Sequence, residues 1–275
     1  MHAATDITRR RFLVHAGRGT IALAVLGVAG CGPSTIASAV PSTSPEPEPS
    51  SSPSASPSAE PSASSIDNGA SSLPPSSAAG GVTWQRANLG FVSAYVLVRA
   101  GEAAIVDTGV AGSEGPIHDA LLAAGVDWAD VGHVILTHKH GDHAGSIGAV
   151  LGAATGAAGY AGEADLGAIT APRPLTAVAD GELVFGLRVV ATPGHTAGHI
   201  AVLDEAGGIL VAGDALGTST GALAGSNPSF TEDAAAAKAS VVKLGTLTFE
   251  TLLVGHGEPI LEGASAEVAA LAAGS

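Results

Sequence analysis

The stretch Thr137-His138-Lys139-His140-Gly141-Asp142-His143 places three imidazoles and a carboxylate within residues 138–143, directly behind the apolar run His133–Leu136. On a helix these side chains would point in several directions, so the spacing calls for a loop. In a loop, His138 and His140, two apart, reach one metal ion from the same side. Asp142 and His143 then point across to a second, and Gly141 permits a sharp turn between the pairs. Nitrogen and oxygen donors set this close are costly to hold together unless a cation offsets them, and neutral imidazole with carboxylate suits Zn²⁺.

Outward from this stretch, apolar runs bounded by Gly, Asp and Pro recur. They predict strands at Phe91–Val98, Ala103–Val106, His133–Leu136, Leu183–Phe185, Leu187–Ala191, Ile200–Leu203, Ile209–Ala212 and Thr251–Val254. Helical spacing predicts helices at Glu114–Ala124, from about Thr231 to Leu244, and near Ala264–Ala272. Early strands in series suggest hairpins, and the intervening helices must cover sheet faces, so the class is α/β in layers. Four further residues stand just behind predicted strands: Asp107 in Val106-Asp107-Thr108-Gly109, His195 in Pro193-Gly194-His195-Thr196, Asp214 in Ala212-Gly213-Asp214, and His256 in Gly255-His256-Gly257.

Together these motifs, in this order, resemble the metallo-β-lactamase superfamily, and the likeness extends over residues 81–275. It implies a four-layer αβ/βα sandwich with the site at one edge of two sheets. It also implies a ligand set: His138, His140 and His195 on one zinc; Asp142, His143 and His256 on the other; Asp214 and a hydroxide bridging the two. Iron or manganese are the other metals such a set accepts. Asp107 is expected to orient a ligand rather than bind metal, and His199 to brace the loop after His195. His118 and His133 receive no role. Two metals about 3.5–4 Å apart make bridging water a nucleophile near neutral pH. No serine or cysteine is then required, and Asp142 becomes the residue expected to carry the proton.

The departures from relatives narrow the substrate. Metallo-β-lactamases proper generally place cysteine or serine near the position of Asp214, so this aspartate argues for the glyoxalase-II-like and lactonase-like branches. Only 19 residues follow His256, which argues against the helical domain that grips glutathione in glyoxalase II. Lactonases carry a tyrosine after the bridging aspartate, where this chain offers the hydroxyls of Thr218, Ser219 and Thr220. The expected activity is hydrolysis of a small ester, thioester, lactone or related substrate. Two alternatives come from other classes. One is an iron oxygenase of the persulfide-dioxygenase type, resting on His138, His195 and Asp214. The other is a non-catalytic, lipid-tethered binding protein.

Composition bounds the partners. Of the 275 residues, 46% are hydrophobic and 13% charged, and 25 acidic against 11 basic residues give a net charge of −14. Such a chain repels a phosphate backbone, and its nine aromatic residues offer little for base stacking, so nucleic acid is excluded as a first expectation. The single cysteine, Cys31, excludes an intrachain disulfide framework and a thiolate metal cluster.

Residues 1–31 resemble a twin-arginine export signal ending in a lipobox. Arg9, Arg10 and Arg11 precede the short apolar stretch Thr20–Gly30, and Val28-Ala29-Gly30-Cys31 closes it. The resemblance makes Cys31 the lipidated first mature residue, since two acyl chains suffice for stable anchoring. Residues 32–80 read as a tether: between Pro33 and Gly80 lie 10 prolines and 17 serines, with almost nothing to bury. If flexible, it spans on the order of 40 Å. The expected location is the outer face of the cytoplasmic membrane, with the catalytic domain at 81–275.

Overall fold

The computed structural model describes residues 80–274. The export signal, Cys31 and all of the tether except Gly80 lie outside the described residues. Among the described residues no helix is long and apolar enough to cross a membrane.

The first sheet runs through six strands in sequence order: β1 (Thr83–Asn88), β2 (Ser93–Arg99), β3 (Glu102–Val106), β4 (Val131–Ile135), β5 (Ala158–Gly162) and β6 (Thr176–Val178). β1, β2 and β3 pair antiparallel, and β3 to β6 pair parallel. The chain then builds β7 (Leu183–Val184), β8 (Leu187–Ala191), β9 (Ile200–Asp204) and β10 (Ile209–Val211) as an antiparallel succession. A two-stranded ribbon follows, β11 (Leu216–Gly217) with β12 (Ala224–Gly225), and β13 (Thr251–Leu253) joins β10 in parallel. The helices are α1 (Glu114–Ala123), the single turn α2 (Gly141–Ala144), α3 (Ile147–Ala153), α4 (Ala234–Leu244) and α5 (Ala264–Ala273).

Successive strand side chains divide between two cores, as the period of two requires. On β2, Tyr95 and Leu97 face the second sheet and pack with Leu187, Val189, Ile200 and Val202. Ala94 and Val96 face the other way, toward Ile117 and Leu121 of α1 and Val150 and Leu151 of α3. On β9, Ile200 and Val202 point inward, while Ala201 and Leu203 meet Val241 and Leu244 of α4 and Val268 of α5. The result is helix, sheet, sheet, helix. Burying each such aliphatic side chain stabilises the fold by about 1.5–3 kcal/mol. Because the central strands are covered on both faces, they read as unbroken apolar runs in the sequence. Tyr95 is polar only at its tip, and that hydroxyl donates to the Val254 carbonyl at 2.8 Å.

The loops that matter here leave the carboxyl ends of β3 (Asp107), β4 (His138 to His143), β8 (His195), β10 (Asp214) and β13 (His256). Several boundaries differ from expectation. The strand expected from Phe91 begins at Ser93, so Phe91 is left in a turn. The helix expected from Thr231 begins at Ala234, because the Asp233 side chain caps it by accepting from the Ala235 and Ala236 N–H groups. Strands β1, β5 and β6 and helix α3 carry no clear period in the sequence. β5 reads Ala-Gly-Tyr-Ala-Gly and is held by its two parallel neighbours rather than by strand propensity.

Candidate metal centre

The histidine segment is only half a loop. Thr137 to His140 is irregular, with bends at Thr137 and Lys139, and Gly141–Ala144 closes one helical turn whose first hydrogen bond runs from the Ala144 N–H to the His140 carbonyl at 2.9 Å. This corrects the expectation of a loop throughout. Gly141 adopts no left-handed conformation, and a Cβ there would meet nothing, so its small size is not what makes the turn. Adjacent positions on the turn diverge. Asp142 lines a cavity, whereas His143 is wholly buried and directs Nδ1 at Asp107 and Nε2 at the centre.

The predicted donors converge in two triads joined by one carboxylate. His138 Nε2 lies 3.1 Å from His140 Nδ1, which lies 2.9 Å from His195 Nε2. The second triad brings His256 Nε2 to 3.3 Å from Asp142 Oδ2 and 3.4 Å from His143 Nε2. Asp214 stands between them, its Oδ2 3.3 Å from both His195 Nε2 and His256 Nε2, and its Oδ1 3.2 Å from His143 Nε2. In each triad the donor atoms lie within 4.8 Å of one another, and a third grouping of His138, His143 and Asp214 links the two.

These donors fit a divalent cation. Tetrahedral zinc with nitrogen ligands at about 2.0–2.1 Å requires donors about 3.3 Å apart. The imidazole nitrogens of the first triad, 3.1 and 2.9 Å apart in succession, stand close to that spacing. Asp214 Oδ1 is buried and makes no hydrogen bond despite its approach to His143. Gly255 keeps the space clear, since a Cβ there would fall 2.4 Å from Asp214 Oδ1 and 2.6 Å from His143 Cε1.

Charge in the centre is strongly perturbed. Burial pushes His195 down to about 4 and holds His138 well below the ordinary histidine range, so both are neutral donors. Burial works against a proton on His143 too, but the Asp107 charge and hydrogen bond, with Asp214 beside it, raise that imidazole to about 10. Hydrogen bonds to Asp142 and Asp214 push His256 up to about 10. Burial favours protonated Asp214, and the neighbouring His143 and His256 overcome it, holding the carboxyl well below its usual range. Carboxylates thus surround the second triad, and a bound cation would take over the role of these protons.

Asp107 and His199 lie outside both triads and act on them. Asp107 Oδ1 accepts the Thr137 N–H at 2.7 Å, and Oδ2 lies 2.8 Å from His143 Nδ1. The residue holds φ at +63°, a left-handed conformation that aspartate tolerates better than most residues. His199 is buried and driven down to about 3 by burial. Its Nε2 accepts the Asp214 backbone N–H at 3.0 Å, and its Nδ1 lies 2.7 Å from Thr192 Oγ1.

A family model described as the metallo-beta-lactamase superfamily matches residues 87–256. The chain belongs to that superfamily. It is 38% identical over 125 residues to a hydroxyacylglutathione hydrolase of Cupriavidus taiwanensis, covering 42% of this chain and 45% of the relative. It is 42% identical over 82 residues to a probable metallo-hydrolase, YflN, of Bacillus subtilis, covering 26% of this chain and 31% of the relative. The chain thus spans less than half the length of these curated relatives. Among solved structures, a metallo-beta-lactamase family protein of Thermus thermophilus is 27% identical with a TM-score of 0.57, over 70% of this chain and 79% of that one. Metallo-beta-lactamase SMB-1 bound to 2-mercaptoethanesulfonate is 25% identical with a TM-score of 0.53, over 66% of this chain and 79% of that one.

In this member of the superfamily, the structure also reveals supports that sequence reasoning missed. Asp165, wholly buried in a 3-10 turn over Glu163–Ala168, ties two ligand loops together. It accepts from the Lys139 N–H at 3.0 Å, the Thr196 hydroxyl at 2.6 Å and the Gly198 N–H at 2.9 Å. Phe91 lies flat on the His256 ring at a centroid distance of 6.0 Å, and its carbonyl accepts from His256 Nδ1 at 2.7 Å. Arg86 holds the same loop through the Gly257 carbonyl at 2.8 Å and Glu258 at 2.7 Å. None of these has a local sequence signal, because each partner lies 26 or more residues away in the chain.

Proposed function

We propose that the protein is a metal-dependent hydrolase with two zinc ions, acting on a small ester, thioester, lactone or related substrate. The observation that carries this reading is Asp214, whose two oxygens each face donors of the second triad, one of them also facing His195 of the first. An aspartate there favours the glyoxalase-II-like and lactonase-like branches over metallo-β-lactamases proper. The complete second triad of Asp142, His143 and His256 offers a second metal site that a single iron on His138, His195 and Asp214 would leave unused. When bound, such a metal pair supplies Lewis-acid polarisation and water acidic enough to attack at neutral pH. The chain's own residues supply the rest. Buried His138 and His195 present neutral nitrogens, and His140 Nδ1 stands within 3.1 Å of the one and 2.9 Å of the other. Asp142 lines the cavity beside them and is held as a carboxylate by its hydrogen bond to His256, against burial. It takes the proton released by the attacking water and returns it to the leaving group.

The cavity has a volume of about 740 Å³, which suits a small molecule and leaves no need for a macromolecular substrate. We further propose that the chain is exported by the twin-arginine route and anchored through lipidated Cys31, which rests on the sequence motifs of residues 1–31. The test is metal analysis of the purified full chain coupled to a panel of ester, thioester, lactone, β-lactam and phosphodiester substrates. Two equivalents of zinc with turnover of an ester, thioester or lactone is the expected result. One iron with consumption of oxygen, or full metal loading with no hydrolysis of any class, would overturn the reading.

A further inference from the structure

We propose that the cavity selects uncharged substrates with an apolar chain, bound against Phe91, Leu216 and Phe230. This rests on the hydrolase reading for the bond that is cut, but the recognition argument stands on the walls of the cavity. Phe91, Leu216, Ala224, Pro228 and Phe230 all line it. Phe91 and Phe230 are 63% and 66% exposed, so a bound chain would remove from water rings that the fold leaves uncovered. Two exposed phenylalanines in one cavity are a cost in water that binding relieves. Phe91 is also fixed in place, its ring stacked on His256 at an interplanar angle of 11° and its carbonyl bound to the same imidazole. A preorganised wall of this kind orders little on binding.

Charge points the same way. No lysine or arginine lines the cavity; its carboxylates are Asp142 and Asp214, and its imidazoles are those of His140, His195 and His256. Two cations on the neighbouring segments are committed elsewhere. Lys139 Nζ lies 2.7 Å from Glu232 and 3.9 Å from Asp165, and Arg86 is engaged by Glu258 at 2.7 Å. The other polar groups of the cavity lining, Ser219, Thr220 and Asn227, are uncharged, so a substrate carboxylate distant from the metals would lose hydration and gain no counter-ion. Rejection of anionic tails, as much as attraction of apolar ones, sets the specificity.

The experiment uses the zinc-loaded full chain and thioesters with acyl groups of two to eight carbons, plus analogues ending in an ω-carboxylate. We expect kcat/KM to rise about two- to fourfold per methylene and the ω-carboxylate of the longest acyl group to fall at least tenfold below its neutral counterpart. Phe230→Ala should flatten the chain-length slope, and Phe230→Leu should restore part of it. A flat profile in the wild type, or equal use of the ω-carboxylate series, overturns the proposal. Absence of turnover on every thioester, and on the matching esters and lactones, refutes the hydrolase reading instead. Thermal shift then decides the subsite alone: octanamide should raise Tm where suberamic acid does not, and the reverse order overturns it.

Discussion

Replacing Asp107 by Asn separates the orientation of a metal ligand from the ligand itself. The carboxylate is acceptor-only and serves three donors: the Thr137 N–H at 2.7 Å, the Thr137 hydroxyl at 2.8 Å, and His143 Nδ1 at 2.8 Å. Asparagine also tolerates φ near +63°, so backbone strain changes little. Its single carbonyl oxygen can keep the Thr137 N–H, but its NH₂ then faces His143 Nδ1 and forces that nitrogen to accept. In the neutral imidazole that a metal requires, the remaining proton then sits on Nε2, the atom 3.4 Å from His256 Nε2 and 3.2 Å from Asp214 Oδ1. A protonated Nε2 has no lone pair for a metal. Loss of such an orienting partner weakens metal affinity by about 10- to 100-fold, or about 1.4–2.7 kcal/mol. The loss should fall on the site of Asp142, His143 and His256, leaving the trio of His138, His140 and His195 occupied. A titration against a competing chelator, with stoichiometry read from the absorption of cobalt-substituted protein, resolves the two sites. Two equally tight metals in Asp107→Asn, or weakening of the histidine trio first, would refute the argument.

His140→Ala should abolish hydrolysis in a domain that remains folded, because the side chain is half-exposed and serves the metal rather than a core; unchanged turnover with unchanged zinc content contradicts it. Asp142→Asn should retain metal but lose turnover by about 10²-fold or more, and near-wild-type rates in steady-state assays would leave Asp142 a merely structural role. Thr196→Val removes the 2.6 Å hydrogen bond to buried Asp165 and should cost about 2 kcal/mol, or about 4–8 °C in Tm; an unchanged melting curve would mean that Asp165 does not bind the two loops together. Cys31→Ala should move the protein from the membrane fraction to the soluble exported or unprocessed fraction, and a variant still firmly in the membrane would show that the lipobox was misread.

The sequence by itself determined the candidate donors of the centre and the class of the fold. Seven donors were legible because metal ligands are held by strand-end loops, and each such loop keeps a local mark: an apolar run, then a histidine or aspartate beside glycine. The strands β2, β3, β8, β9, β10 and β13 were legible for a related reason, since burial on both sheet faces leaves no polar interruptions. Elements that depend on neighbours were not. β1 has a half-buried, polar edge sequence, and β5 and α3 are rich in glycine and alanine, so tertiary packing rather than local propensity gives them their shape. Only the folded chain could place Asp165 between two ligand loops, or set Phe91 against His256, 165 residues away. Those contacts join segments with no shared period, and their energy exists only when the two sheets have closed on each other. The identity of the donors is a local property of the chain. Their spacing, their protonation and the apolar walls above them are properties of the closed sandwich.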